Sequence, residues 1–354
     1  VPASATAVSN SVLPSPTPLA SISQPTSVAN AKGQSSAIAT QTPAIQPSKP
    51  VPASSFEEPD FQPLAGYATF NKDQTLGFSR VINEEFNANY EKIGISASVY
   101  QAGKLWSEGL GFAEESIPME GHTPVGIKSV SKTFLAALIL NQVEEGLYEL
   151  DDRVSDLLTG HEGYESLDKS VFPNVTVREL LTMTSGIAAS ESNQTPEAIE
   201  VMGRPSWAPS LTLKLIDRLP VAPGNFEYSP IANSFLLAMI AEYKTGENLY
   251  SLYRSTLLDP LSIQAILMPD LAAPDAIAHP YGNREYYGGF GGFGDLMKIG
   301  AWNKASCPHC FDDYNFINAD ARLSWSGAGI VTDSQNLSLW GYELFSTHGH
   351  AISD

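Results

Sequence analysis

The sequence predicts a mixed α/β domain of the α+β kind behind a disordered leader, and three observations carry that expectation. Ile95, Ala97 and Val99 alternate with small or polar residues, and a short turn and a second extended run follow, which is the pattern of a β-hairpin. Apolar residues recur at the helical period at Phe134, Leu135, Leu138 and Ile139, and again at Ile231, Phe235, Leu236, Met239 and Ile240. Residues 1–55 hold no aromatic residue, no acid and only Lys32 and Lys49 as charges, among Ser, Thr, Pro, Ala and Gln. Such a segment cannot bury enough apolar surface to offset its ordering entropy. The chain therefore divides into a disordered tether, residues 1–58, and a folded domain, residues 59–354.

Bulk composition limits the function classes. The 354 residues suffice for one large domain or two small ones, and a 43% hydrophobic content supports a packed core. A formal charge of −19 argues against nucleic acid as a partner, because phosphate binding needs clustered Lys and Arg. No apolar run reaches the length of a membrane span. No basic or apolar leader region follows Val1, so no signal peptide is visible. The acidity and the tether together suggest an extracellular or periplasmic protein of the cell envelope.

Along the folded part, a helix is expected from about Thr75 to Tyr90, then the strand through Val99, a turn at Gln101–Lys104 and a second strand from Leu105 to Phe112. A Pro-containing stretch leads to a helix whose start carries Ser129 and Lys132, with Gly146 placed to end it in a left-handed cap. Residues three apart share a helix face, so the serine hydroxyl and the amine lie together. A serine becomes a nucleophile once a base takes its proton, and an amine does so when burial or a nearby cation lowers its pKa toward neutrality. Ser131 is a competing serine, one residue from Lys132 and so directed elsewhere. Further on, Thr176 and Glu179 form a capping box, with Gly186 as a stop. Ser229 and Pro230 suit the cap and first turn of a helix, which sets Tyr228 just ahead of a helix N-terminus.

The run Thr123–Phe134 around Ser129-Val130-Ser131-Lys132 closely resembles the active-site segment of the serine β-lactamase and penicillin-binding-protein family, in particular the class C branch with its esterase and DD-peptidase relatives. Leu150–Val154, Thr176–Gly186, Leu258–Leu261 and Gly327–Thr332 resemble further landmarks of that family, in order. The resemblance implies a β-lactamase-like fold: an antiparallel sheet flanked by helices, plus a helical subdomain from roughly residues 140–260. It also implies acyl transfer with Ser129 as nucleophile, Lys132 as base and Tyr228 sharing protons with both. The structural alternative for Tyr228 is a half-buried tyrosine with no chemical role. No metal and no organic cofactor is implied. The expected partner is a small-molecule acyl substrate (an ester or amide, with a β-lactam or a cell-wall peptide as candidates).

The chain departs from the family pattern at several places. Where the family has an Asn two residues after the tyrosine stands Pro230, which has no side-chain donor for a substrate amide; Asn233 is the candidate replacement as substrate-binding residue. Lys244-Thr245-Gly246 spells a family triplet but falls at a helix end, so it reads as a decoy. The family continues past the stretch ending at Phe345 with sheet strands that carry one oxyanion N–H, and this implies a sequence truncated at its C-terminus. Cys307-Pro308-His309-Cys310 reads as a loop staple or inert thiols, with a zinc half-site and a redox pair as alternatives. His348-Gly349-His350 reads as a polar loop. The rival to a hydrolase is a non-catalytic envelope protein that keeps the fold for binding, an idea that Pro230 favours and the Ser129, Lys132 and Tyr228 set opposes.

Overall fold

The predicted hairpin is formed by β1 (Gly94–Gln101) and β2 (Lys104–Glu114), paired from Gly94 opposite Gly111 to Gln101 opposite Lys104. Its two-residue turn places Ala102 at φ 46° and Gly103 at φ 82°, both positive, as the tightest hairpin turn requires. This is a computed structural model describing residues 59–88, 94–114, 117–189, 201, 207–268, 277–278 and 324–353, all within one compact unit, residues 45–354. The expected tether, residues 1–58, and the Cys307–Cys310 pair lie outside the described residues.

In chain order, α1 (Lys72–Ala88) precedes the hairpin, and the short strands β3 (Ile117–Pro118) and β4 (Val125–Gly126) follow it. Then come α2 (Ser131–Glu144), α3 (Val154–Leu157), α4 (Glu162–Glu165), α5 (Val177–Leu181), α6 (Pro209–Leu213), α7 (Pro230–Thr245) and α8 (Leu249–Tyr253). β5 (Ala265–Leu267), β6 (Ile330–Thr332) and α9 (Ser334–Phe345) complete the described chain. Helix α1 starts at Lys72, three residues before the expected Thr75, because Asn71 Oδ1 accepts from the Gln74 N–H at 2.9 Å and caps it.

Alternation along β1 predicts one buried and one open face, yet Ile95 to Tyr100 are all half-buried. The reason is that both faces are covered. Trp106, opposite Val99, meets Phe78 of α1 at 5.3 Å between ring centroids, and Ser79 of α1 bonds Glu108 on the same face. Tyr100 points the other way and meets Tyr342 of α9 at 5.0 Å, while Ser98 bonds Ser334 at 2.7 Å. The antiparallel sheet is therefore flanked by helices.

A second sheet has the order β4-β6-β5, antiparallel throughout. Between β4 and β5 the regular elements of the described chain are all helices, apart from an isolated bridge between Arg153 and Thr176, which agrees with the expected helical subdomain. Helix α7 is its centre. Its apolar positions predicted a helix with one buried face, but every residue from Ala232 to Ala241 is buried. Helices α2, α5, α6 and α8 pack around it, so even Asn233 and Ser234 are enclosed. The capping box on α5 is present, with Thr176 and Glu179 exchanging bonds. The stop is not Gly186: α5 ends at Leu181, and Met183 turns the chain at φ 56°. Gly186, at φ 74°, serves instead to admit the Val221 carbonyl, which would lie 2.2 Å from a Cβ there.

Candidate active site

The turn that carries Ser129 is built by clamping both of its ends to one residue. Leaving β4, the Ile127 N–H donates to the Ile330 carbonyl of β6 at 3.0 Å. After one tight turn, Lys128–Val130, the Ile330 N–H donates to the Ser131 hydroxyl at 3.1 Å. Ser131 is fully buried and committed to that bond, so the competing serine is structural. Between the clamps, Lys128 takes φ 48° and Ser129 is lifted onto the exposed surface at the entrance to α2. The helix behind it is anchored by Phe134 stacked on Trp340, with Trp340 donating to the Thr133 hydroxyl.

Lys132 lies one turn further on, and its Nζ is 3.1 Å from Ser129 Oγ. The same amine donates to the Gly327 carbonyl at 2.5 Å, which fixes its direction. Burial pushes its pKa down from 10.5 to about 8, because the charged ammonium loses hydration there. A shift of that size raises the neutral fraction at pH 7 by about 300-fold, which is about 3 kcal/mol toward the form that can accept a proton.

Tyr228 completes the group. Its hydroxyl donates to Ser129 Oγ at 3.0 Å across 99 residues of sequence, and Lys132 Nζ sits 5.7 Å from its ring centre. Tyr228 immediately precedes Ser229 at the cap position of α7, with Pro230 first in the helix as expected. The Ser229 hydroxyl does not cap the helix, however; it is buried and donates to the Ala188 carbonyl at 3.0 Å. Ser129 Oγ thus has a buried amine on one side and a phenol on the other, which suits proton removal toward Lys132 and proton return through Tyr228.

The structure corrects the reading of Asn233. It is fully buried on the first turn of α7, with Oδ1 accepting from Ser185 Oγ at 2.7 Å and Nδ2 donating to the Leu180 carbonyl at 3.2 Å and Met183 Sδ at 3.1 Å. Its amide is spent inside the protein and does not replace the donor that Pro230 lacks. Lys244-Thr245-Gly246 closes α7, with Gly246 at φ 76° and its N–H on the Glu242 carbonyl, so the triplet is a helix end. His350 bonds Glu343 at 3.0 Å. Among the described residues no cluster of three or more His, Cys, Asp or Glu could hold a metal ion. The same residues include no helix long and apolar enough to cross a membrane. Sequence reasoning did not assign the Gly327 carbonyl to Lys132, because a backbone acceptor has no side-chain signature.

Comparison with known proteins bears on the family and the fold. The Beta-lactamase family model matches residues 81–309, more than half of the chain and a span that includes Ser129, Lys132 and Tyr228. Penicillin-binding protein 4 of Amycolatopsis lactamdurans is 29% identical over 146 residues, which are 41% of this chain and 36% of that protein, so the match spans about a third of the relative. The D-amino acid amidase from Ochrobactrum anthropi SV3, solved with L-phenylalanine amide, superposes with a TM-score of 0.56 at 18% identity, covering 76% of this chain and 69% of the amidase. EstCE1, a hydrolase with promiscuous acyltransferase activity, superposes at 0.52 with 22% identity, covering 77% and 73% of the two chains. At these identities the two structures speak to the fold alone, and with the family match over the greater part of its length this chain belongs to the beta-lactamase family.

Proposed function

We propose that this protein is a serine hydrolase that works through an acyl-enzyme on Ser129, with an ester or amide as substrate and an ester preferred. The single observation that carries the reading is the pair of hydrogen bonds that Ser129 Oγ receives, from the low-pKa amine of Lys132 and from the Tyr228 phenol. In the acylation step Ser129 Oγ attacks the carbonyl carbon and its proton passes to neutral Lys132. The leaving group departs with a proton delivered through Tyr228. Water then attacks the acyl-enzyme, its proton passes through the same pair to the departing Ser129 Oγ, and the acid is released. The preference for esters follows from Pro230 and from the committed amide of Asn233, which together leave a substrate amide without the side-chain donor the family offers. The amidase and the promiscuous hydrolase of the same fold are compatible with either acyl class. Hydrolysis of a short-chain p-nitrophenyl ester by the purified chain tests the reading: turnover abolished by Ser129→Ala supports it, and turnover unaffected by that change overturns it.

A further inference from the structure

Asn233 is connected to the site by a closed ring of hydrogen bonds. From the first turn of α7, its carboxamide grips three points on the last turn of α5 and the segment that follows it: the Leu180 carbonyl, the Met183 sulfur and the Ser185 hydroxyl. Ser185 Oγ in turn accepts from the Ile187 N–H at 3.2 Å. This segment is the rail along which the chain approaching the site runs. Val221 donates to the Gly186 carbonyl at 2.8 Å, Gly224 to the Thr184 carbonyl at 2.8 Å and Glu227 to the Met183 carbonyl at 2.9 Å. The residue after Glu227 is Tyr228, and the residue after that, Ser229, is tied to the Ala188 carbonyl at the far end of the rail. Tyr228 is thus held on both sides by one short segment, and Asn233 secures that segment to the helix that Tyr228 precedes.

Met183 is the sensitive link. It sits at φ 56°, where a non-glycine side chain is strained, and in that conformation it offers its carbonyl to Glu227. Without the Asn233 amide the Leu180 carbonyl keeps the Met183 N–H at 3.3 Å, and the part-buried Met183 sulfur and the buried Ser185 hydroxyl lose their bonds to α7, which frees the rail to relax.

We propose that Asn233 is the positioning residue for Tyr228: it fixes the rail at Leu180, Met183 and Ser185, and through it the distance from the phenol to Ser129. The proposal rests on the hydrolase reading for its effect on rate, but not for its effect on geometry. A shift of about 1 Å at a catalytic group can lower the rate by about 100-fold.

The test is a double-mutant cycle with two readouts on the 354-residue chain. First, Tyr is labelled with 13C at Cζ and the Tyr228 signal is assigned by Tyr228→Phe. Ser129→Ala should move that signal in the otherwise native protein, and should move it much less once Asn233→Ala is present. Second, Asn233→Ala should slow fluorophosphonate labelling of Ser129 by about 100-fold, yet slow it by no more than about threefold when Tyr228 is already Phe. Thermal melting should record the same loss of stability in both backgrounds. An equal loss of labelling rate in both backgrounds overturns the proposal, as does a Tyr228 signal that still responds fully to Ser129→Ala. If Asn233→Ala does not fold, Ser185→Ala enters the same cycle with the same expectations. A chain whose Ser129 is never labelled refutes the hydrolase reading, and the Tyr228 signal then decides the positioning role alone.

Discussion

The pKa of Lys132 makes the sharpest kinetic prediction. With a value of about 8 the amine is neutral in about one molecule in ten at pH 7, against about one in three thousand for an ordinary lysine at 10.5. The rate constant for phosphonylation of Ser129 should therefore rise about tenfold per pH unit below 8 and level off above it. Lys132→Met keeps the aliphatic stem but removes the base, so its profile should be flat and at least about 100-fold lower near neutrality. Stability should also rise with pH, but over a higher window. The folded-state pKa is depressed, so between about 8 and 10.5 the unfolded chain binds more protons than the folded one, and folding becomes more favourable as pH rises through that window. Below 8 the cost of burying the charge, about 3 kcal/mol, is present in full. Lys132→Met is free of that cost but leaves the Gly327 carbonyl without its donor, a loss of about 1–3 kcal/mol at every pH. Its stability relative to the native protein should thus fall by about 3 kcal/mol between pH 7 and 10.5, measured by denaturant unfolding at each pH. A labelling rate still climbing tenfold per unit at pH 9.5, or a stability difference that does not change with pH, would refute the assignment of Lys132 as a buried amine base.

Three further outcomes follow from the same geometry. Gly186→Ala combines a left-handed φ with a contact of 2.2 Å to the Val221 carbonyl, so it should destabilise by more than the about 1–3 kcal/mol of backbone strain alone. Gly146→Ala, at φ 76° with nothing within 4 Å of the added Cβ, should show the strain only, and thermal melts of the two isolate the clash. Tyr228→Phe and Lys132→Ala should each be severe in ester turnover, while the double variant should be little worse than the poorer single, as for groups that act as a unit; losses that multiply contradict a shared role. Relative kcat/KM for a short-chain aryl ester over a cephalosporin should favour the ester by about 5- to 150-fold, the effect of a missing donor worth about 1–3 kcal/mol, and efficient cephalosporin hydrolysis would mean that another group holds the amide.

Features encoded in neighbouring residues were legible in the sequence. The hairpin was readable because alternation and a Gly-containing turn are local signals, and Ser129 with Lys132 because three residues make one helix turn. The capping box at Thr176 and Glu179 is local in the same way. What the sequence obscured depends on tertiary surroundings. The periodic apolar positions of α7 imply an exposed opposite face, but the helices packed around it leave none between Ala232 and Ala241. Asn233 looked available to a substrate because a sequence does not show that Leu180, Met183 and Ser185 surround its amide. Tyr228 lies 99 residues from Ser129, a separation that no spacing rule bridges, so its place beside the hydroxyl came through family resemblance. Asn71 is the exception: its cap signal is local, yet α1 begins three residues ahead of the start that the apolar pattern predicts.

The central claim is that Ser129 is the nucleophile, and covalent labelling tests it most directly. The chain is treated with a fluorophosphonate near pH 8, digested, and the modified peptide sequenced by mass spectrometry. The account predicts a single adduct on Ser129 that disappears in Ser129→Ala and forms slowly in Lys132→Met. An adduct on Ser131, whose hydroxyl is buried against the Ile330 N–H, or labelling that survives Ser129→Ala, would contradict it.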